Sequence, residues 1–338
     1  MSEKIKTKLG ITIGDVNGIG PEVILKTFSD SRLLDLCTVV IFGSFEALQF
    51  HKSHLHLPDL PLQKISDLAE AKRNKVNVMD VSEEKVEVNF GHPSTTSGKL
   101  AFRAMERAVD SALDGQIDAI VTAPVNKKSI QEIYEPFTGH TGYLSERSGR
   151  EALMILCSDK LRIAMVTGHI PLGKVSSELS IDLIISRIET LHKSLQGDFG
   201  YEKPKIAVLA LNPHAGENGL LGNEEKDLII PAINQVKTKD IMAFGPYPAD
   251  GFFGAGTFRE FDGILAMYHD QALIPFKTMS FDEGVNFSSN LDFIRTSPDH
   301  GTAFEIAGQK AASEASFRQA VYTAVDIWRR RSTPETDD

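Results

Sequence analysis

Cysteine is scarce: the 338 residues hold two, Cys37 and Cys157, each in an apolar segment. That excludes a disulfide framework and a cysteine-rich metal site, and it predicts buried free thiols in a reducing compartment, the cytoplasm. Long hydrophobic runs are also missing. None approaches the ~18 residues of a membrane span, and the charged start Met1-Ser2-Glu3-Lys4-Ile5-Lys6-Thr7-Lys8 leads into an apolar stretch too short for an export signal. Positive charge is in deficit, 36 Lys plus Arg against 46 Asp plus Glu, for a net charge of -10. Without a basic field the chain is no nucleic-acid or membrane-surface binder, and an anionic ligand must be held by a few local groups. Repeats and low-complexity linkers are absent, so composition marks no domain boundary.

What is present is an ordinary folding composition, 41% hydrophobic and 24% charged, in a chain long enough to prefer two cores over one. Short apolar runs alternate with amphipathic stretches. The pattern predicts strands over 9–13, 39–42, 119–121, 161–166, 206–211, 241–244 and 264–267. Helices are expected over 21–28, 101–113, 181–195, 302–312 and 316–328. This is α/β patterning with a largely parallel sheet. The segment 50–67, rich in His and Pro, reads as an irregular surface excursion, and the polar tail after Arg331 as frayed.

Three places carry chemistry. Gly14-Asp15-Val16-Asn17-Gly18-Ile19-Gly20-Pro21-Glu22 is a strand-to-helix turn, with Pro21 suited to the first helical position. It lacks the GxGxxG order and the later acidic residue of a Rossmann site. Three histidines, His169, His214 and His269, each follow an apolar strand, where α/β proteins build sites. Three imidazoles converging there form the donor set of a catalytic divalent metal. The denser cluster His51-Lys52-Ser53-His54-Leu55-His56 has no strand framework and is expected to be a solvated loop. Lastly, Lys277, Asn286 and Arg295 alternate with Gly and Pro in an acidic chain, and look placed for a carboxylate or phosphate.

Seven segments, in order and spanning nearly the whole chain, resemble the 4-hydroxythreonine-4-phosphate dehydrogenase family of vitamin B6 biosynthesis. They are the Gly14 to Glu22 turn, Val121-Thr122-Ala123-Pro124-Val125-Asn126-Lys127, Gly139-His140-Thr141, Leu211-Asn212-Pro213-His214-Ala215-Gly216-Glu217, Pro248-Ala249-Asp250, Tyr268-His269-Asp270-Gln271, and Ile294-Arg295-Thr296-Ser297-Pro298-Asp299-His300-Gly301-Thr302-Ala303. The turn and the segment from His300 also resemble isocitrate and isopropylmalate dehydrogenases, which bind a nicotinamide without a Rossmann fingerprint. The sequence departs from the family pattern at Gly142 and over 287–292.

The resemblance implies two α/β/α domains enclosing a cleft, 1–145 with 299–338 and 146–298. It implies metal ligation by His169, His214 and His269, with zinc, magnesium or cobalt as the ion, in a site shared by two subunits of a homodimer. It assigns the phosphorylated substrate to His140, Thr141, Lys277, Asn286 and Arg295. NAD or NADP is placed against His300, Gly301, Thr302 and Ala303. The implied reaction is oxidation of 4-phosphooxy-L-threonine and decarboxylation to 3-amino-2-oxopropyl phosphate. Asp250 and Asp270 are candidates for the proton acceptor, Asp270 equally for a partner orienting His269. The alternatives are a dehydrogenase of another phosphorylated hydroxy acid, a metal-free phosphoacyl transferase, and a non-enzymatic phospho-metabolite binder.

Overall fold

The fold is known from a computed structural model that describes residues 6–333. The start, 1–5, and most of the tail expected to fray, 334–338, lie outside the described residues. Among the described residues twelve strands form: β1 Thr7–Thr12, β2 Cys37–Gly43, β3 Leu62–Ile65, β4 Val76–Asp80, β5 Ala119–Thr122, β6 Leu153–Cys157, β7 Arg162–Met165, β8 Lys205–Leu209, β9 Met242–Tyr247, β10 Gly263–Ala266, β11 Val285–Ser289 and β12 Ile294–Pro298. The chain divides into two compact units, Met1–Ala152 with Leu291–Ser332, and a second containing Leu153–Asn290.

In the first unit the strand order is β3-β4-β2-β1-β5-β12, and every neighbouring pair is parallel. Burial explains why: β2 is buried at all seven positions, the near-continuous apolar pattern of a strand covered on both faces. Helix Thr95–Leu113 starts where Ser94 and Ser97 cap each other's backbone and buries Leu100, Ala101, Ala104, Met105 and Ala108. Helix Ala315–Ser332 packs on β12 and β5.

In the second unit the order is β11-β6-β7-β10-β8-β9, parallel except that β6 is antiparallel to both neighbours. Helix Ile181–Gly197, capped by Ser180, buries Ile184, Ile188, Leu191 and Leu195 along one stripe. Another core layer joins Leu156, Ile163, Met165, Leu209, Ile264 and Phe276. Both cysteines are buried free thiols, as their apolar settings predict.

Two expectations fail. No α-helix forms over 302–312; a single short turn, Phe304–Ile306, stands in a loop where Ala303, Gly308 and Lys310 have φ of 43°, 78° and 61°. The loop's carbonyls bond side chains instead, Gly308 facing His54 and Lys310 and Ala312 accepting from Lys26. Nor is 50–67 irregular throughout, since helix Phe45–His54 fills its start and β3 its end.

Candidate active site

In the first unit, parallel register delivers one group of the residues singled out above. β12 lies beside β5 with Arg295 opposite Ile120. Arg295 is therefore enclosed, 3% exposed, and its Nε and Nη2 donate to Thr122 Oγ1 at 3.1 and 2.7 Å. Burial pushes the guanidinium down to about 9, which leaves it a cation at neutral pH. Beyond β5, Asn126 accepts from Ser129 N and caps the turn that begins at Lys127.

Helix His140–Ser148 opens at His140, with Thr141 as its second residue. His140 is half-buried as a residue, yet its Nε2 is enclosed and lacks a hydrogen-bond partner. Burial, followed by the positive charges of Arg295 and Lys127, holds this imidazole well below the usual histidine range. A neutral imidazole, two cations and the N–H groups of a helix start together suit an anion such as phosphate. Sequence reading missed Thr122 and Lys127 as site residues, although both lie in a segment that carried the family resemblance. The strand end followed by an Asn cap was the available signal.

The glycine-rich turn lies against the segment from His300. Ile19 N donates to Thr302 O at 3.0 Å, and a Cβ on Gly18 would stand 2.7 Å from the same oxygen, so only glycine permits the approach. Here the histidine cluster corrects its sequence reading. His51 is 1% exposed, with Nε2 2.8 Å from Val16 O, and burial pushes it down to about 4. His54 Nε2 lies 2.8 Å from Gly308 O, and both rings pack on Phe90. These imidazoles brace two backbone loops because the helix Phe45–His54 gives them the framework that the local sequence hid.

In the second unit β7, β10 and β8 are adjacent and parallel, so the segments that follow them leave the sheet on one side. Pairing continues past the strands, with Val166 N donating to Ala266 O and Thr167 N to Met267 O. That brings His169 and His269 together, ring centroids 5.1 Å apart. Asp270 Oδ1 stands 2.7 Å from His269 Nδ1, which fixes the ring and, with the proton on Nδ1, leaves the Nε2 lone pair to ligate. Gln271, also missed, ties two strand ends: its Oε1 accepts from Met267 N and its Nε2 donates to Ala210 O, both at 2.7 Å.

His214 lies exposed on the segment after β8. Among the described residues no three His, Cys, Asp or Glu side chains are grouped as an ion would need. In chemistry the donors fit a divalent metal: two imidazoles meet, one oriented by a carboxylate. Lys277 stands on helix His269–Ser280 two turns from His269, about 12 Å along the axis. Asn286, on β11, donates to Met154 Sδ, and its Oδ1 is buried without a hydrogen-bond partner. Asp250 is exposed on the first turn of helix Ala249–Gly254.

A 4-hydroxythreonine-4-phosphate dehydrogenase from Bacteroides thetaiotaomicron is 47% identical over 331 residues, covering 97% of this chain and 91% of its own. One from Sulfurihydrogenibium sp. is 39% identical, covering 96% and 99%. The crystal structure of the Klebsiella pneumoniae enzyme of that name superposes with a TM-score of 0.85 at 35% identity, covering 97% of this chain and 99% of that one. Residues 35–324 match the family described as pyridoxal phosphate biosynthetic protein PdxA, and the chain belongs to that family.

Proposed function

We propose that the protein is a metal-dependent, NAD(P)-linked 4-hydroxythreonine-4-phosphate dehydrogenase, a cytoplasmic homodimer. It oxidises the C3 hydroxyl of 4-phosphooxy-L-threonine to a β-keto acid, which loses CO2 to give 3-amino-2-oxopropyl phosphate. The observation that carries this reading is the enclosed Arg295 on Thr122 beside the unpartnered Nε2 of His140, an arrangement suited to phosphate in a chain whose relatives are named for a phosphorylated substrate.

Arg295, Lys127, His140 and the amides at the start of helix His140–Ser148 bind the phosphate, and the family resemblance adds Lys277 and Asn286 as substrate-binding residues. His169 and His269 hold the metal, with His214 supplied by the second subunit. When bound, the cation supplies Lewis-acid polarisation of the substrate's oxygens and the nicotinamide accepts hydride. Asp270 orients His269, which leaves Asp250 to take the hydroxyl proton. The turn around Gly18 and the residues His300 to Ala303 hold the nicotinamide.

The second subunit is supported by exposed apolar side chains flanking two of the ligands, Ile170 and Leu172 beyond His169 and Leu220 and Leu221 beyond His214, Leu172 and Leu220 being 73% and 76% exposed. Among the described residues no helix is long and apolar enough to cross a membrane. The test is absorbance at the NADH wavelength with 4-phosphooxy-L-threonine, with and without chelator. Signal that disappears with chelator and returns with metal is expected. No turnover with either cofactor refutes the assignment, and turnover untouched by chelator refutes the metal.

A further inference from the structure

Five consecutive residues, His214, Ala215, Gly216, Glu217 and Asn218, have φ between 43° and 77°. Left-handed backbone is normally a single-residue excursion, and each non-glycine residue in it is strained. Such a run persists only where its surroundings over-determine it. Here the surroundings are a carboxylate. Glu225, 3% exposed, accepts through Oε1 from Leu211 N at 2.9 Å and Asn212 N at 2.7 Å, and through Oε2 from Asn212 Nδ2 at 3.0 Å. Glu224 Oε2 accepts from the same Nδ2 at 2.7 Å. On the far side of the turn, a Cβ on Gly216 would stand 2.6 Å from Glu225 Oε2, so the left-handed backbone wraps the carboxylate at contact distance. Glu225 also opens a π-helical turn, Glu225–Ile229, a local departure that recurs at functional sites.

We infer that Glu225 is the positioning residue of this site: its buried carboxylate holds the left-handed turn and thereby sets the direction in which His214 is presented. It acts through the backbone on either side of His214. This rests on the reading of His214 as a metal ligand, and the experiment separates the two claims. In the full-length protein, Zn2+ affinity is measured by chelator competition, and hydrogen exchange is followed in peptides over 211–222, for Glu225→Gln, Glu225→Ala and His214→Ala. Gln keeps one oxygen for both backbone amides. Glu225→Gln is therefore expected to weaken Zn2+ by about tenfold and Glu225→Ala by about a hundredfold, with faster exchange confined to 211–222. Unchanged affinity in both, when His214→Ala has lost it, overturns the inference and leaves the metal reading standing. If His214→Ala binds Zn2+ like wild type, the metal reading fails, and exchange alone decides whether Glu225 holds the turn. Should Glu225→Ala not fold, the milder Glu225→Gln is read alone. Weakened Zn2+ binding there supports the inference, and unchanged binding overturns it.

Discussion

Replacing Arg295 should move stability and function in opposite directions. The fall of its guanidinium from 12.5 to about 9 corresponds to a cost of about 5 kcal/mol, at about 1.4 kcal/mol per pH unit, carried by the ligand-free fold. Arg295→Met removes that cost. It also removes the guanidinium's hydrogen bonds, among them two to the buried Thr122 hydroxyl, worth about 1–3 kcal/mol in an unsatisfied group. The variant should therefore melt no lower than wild type. If Arg295 binds the phosphate as proposed, the substrate loses a charged fork whose bonds are worth about 1.5–3 kcal/mol each, so KM should rise by about a hundredfold or more. Arg295→Lys keeps the charge but loses the fork and should fall between, near tenfold by that scale. Calorimetric melting with NADH-coupled kinetics gives both readings. A Met variant that melts several degrees lower with unchanged KM would show Arg295 to be a structural residue and refute the phosphate site.

Burial holds His51 at about 4, below its ordinary 6.5, so between these values the unfolded chain takes up a proton that the folded chain refuses. Stability is then complete above about pH 6.5 and is lost as pH falls toward 4, by up to about 3 kcal/mol from this group; His51→Gln should flatten the slope of denaturation free energy over that window, and an unaltered slope would show that His51 does not set it. Cys37 and Cys157, with thiols pushed up to about 12, should resist a thiol reagent at pH 8 in the native protein and react fully in denaturant; rapid native labelling would contradict their burial. Because His169 and His269 pair within one chain, mixing His169→Ala with His269→Ala should restore no activity, whereas mixing either with His214→Ala should restore about a quarter of wild type through mixed dimers with one intact site. The reverse pattern would mean that the ligands divide differently between subunits.

The strand-end rule found His169 and His269 because parallel neighbours leave a sheet on the same side, a consequence of direction that needs no contact to be known. Reading strands from apolar runs missed β3, β4, β6, β11 and β12, which become strands where a neighbour supplies the ladder. Arg295 depended on that missing information. Its loop-like sequence, with Thr, Ser and Pro following, hid a buried strand in register with β5, which encloses the cation. His51 and His54 show the same limit from the other side. Read locally they are polar, but their acceptors, Val16 O and Gly308 O, lie 35 and 254 residues away in sequence. The left-handed turn at His214 is the extreme case. Ala215, Glu217 and Asn218 carry no signal strong enough to predict it, because the conformation is imposed by Glu225, whose partners Leu211 and Asn212 lie 14 and 13 positions back. Function is therefore most legible where the fold's direction places a residue, and least legible where a buried side chain reaches across the chain to hold backbone in a form it would not choose alone.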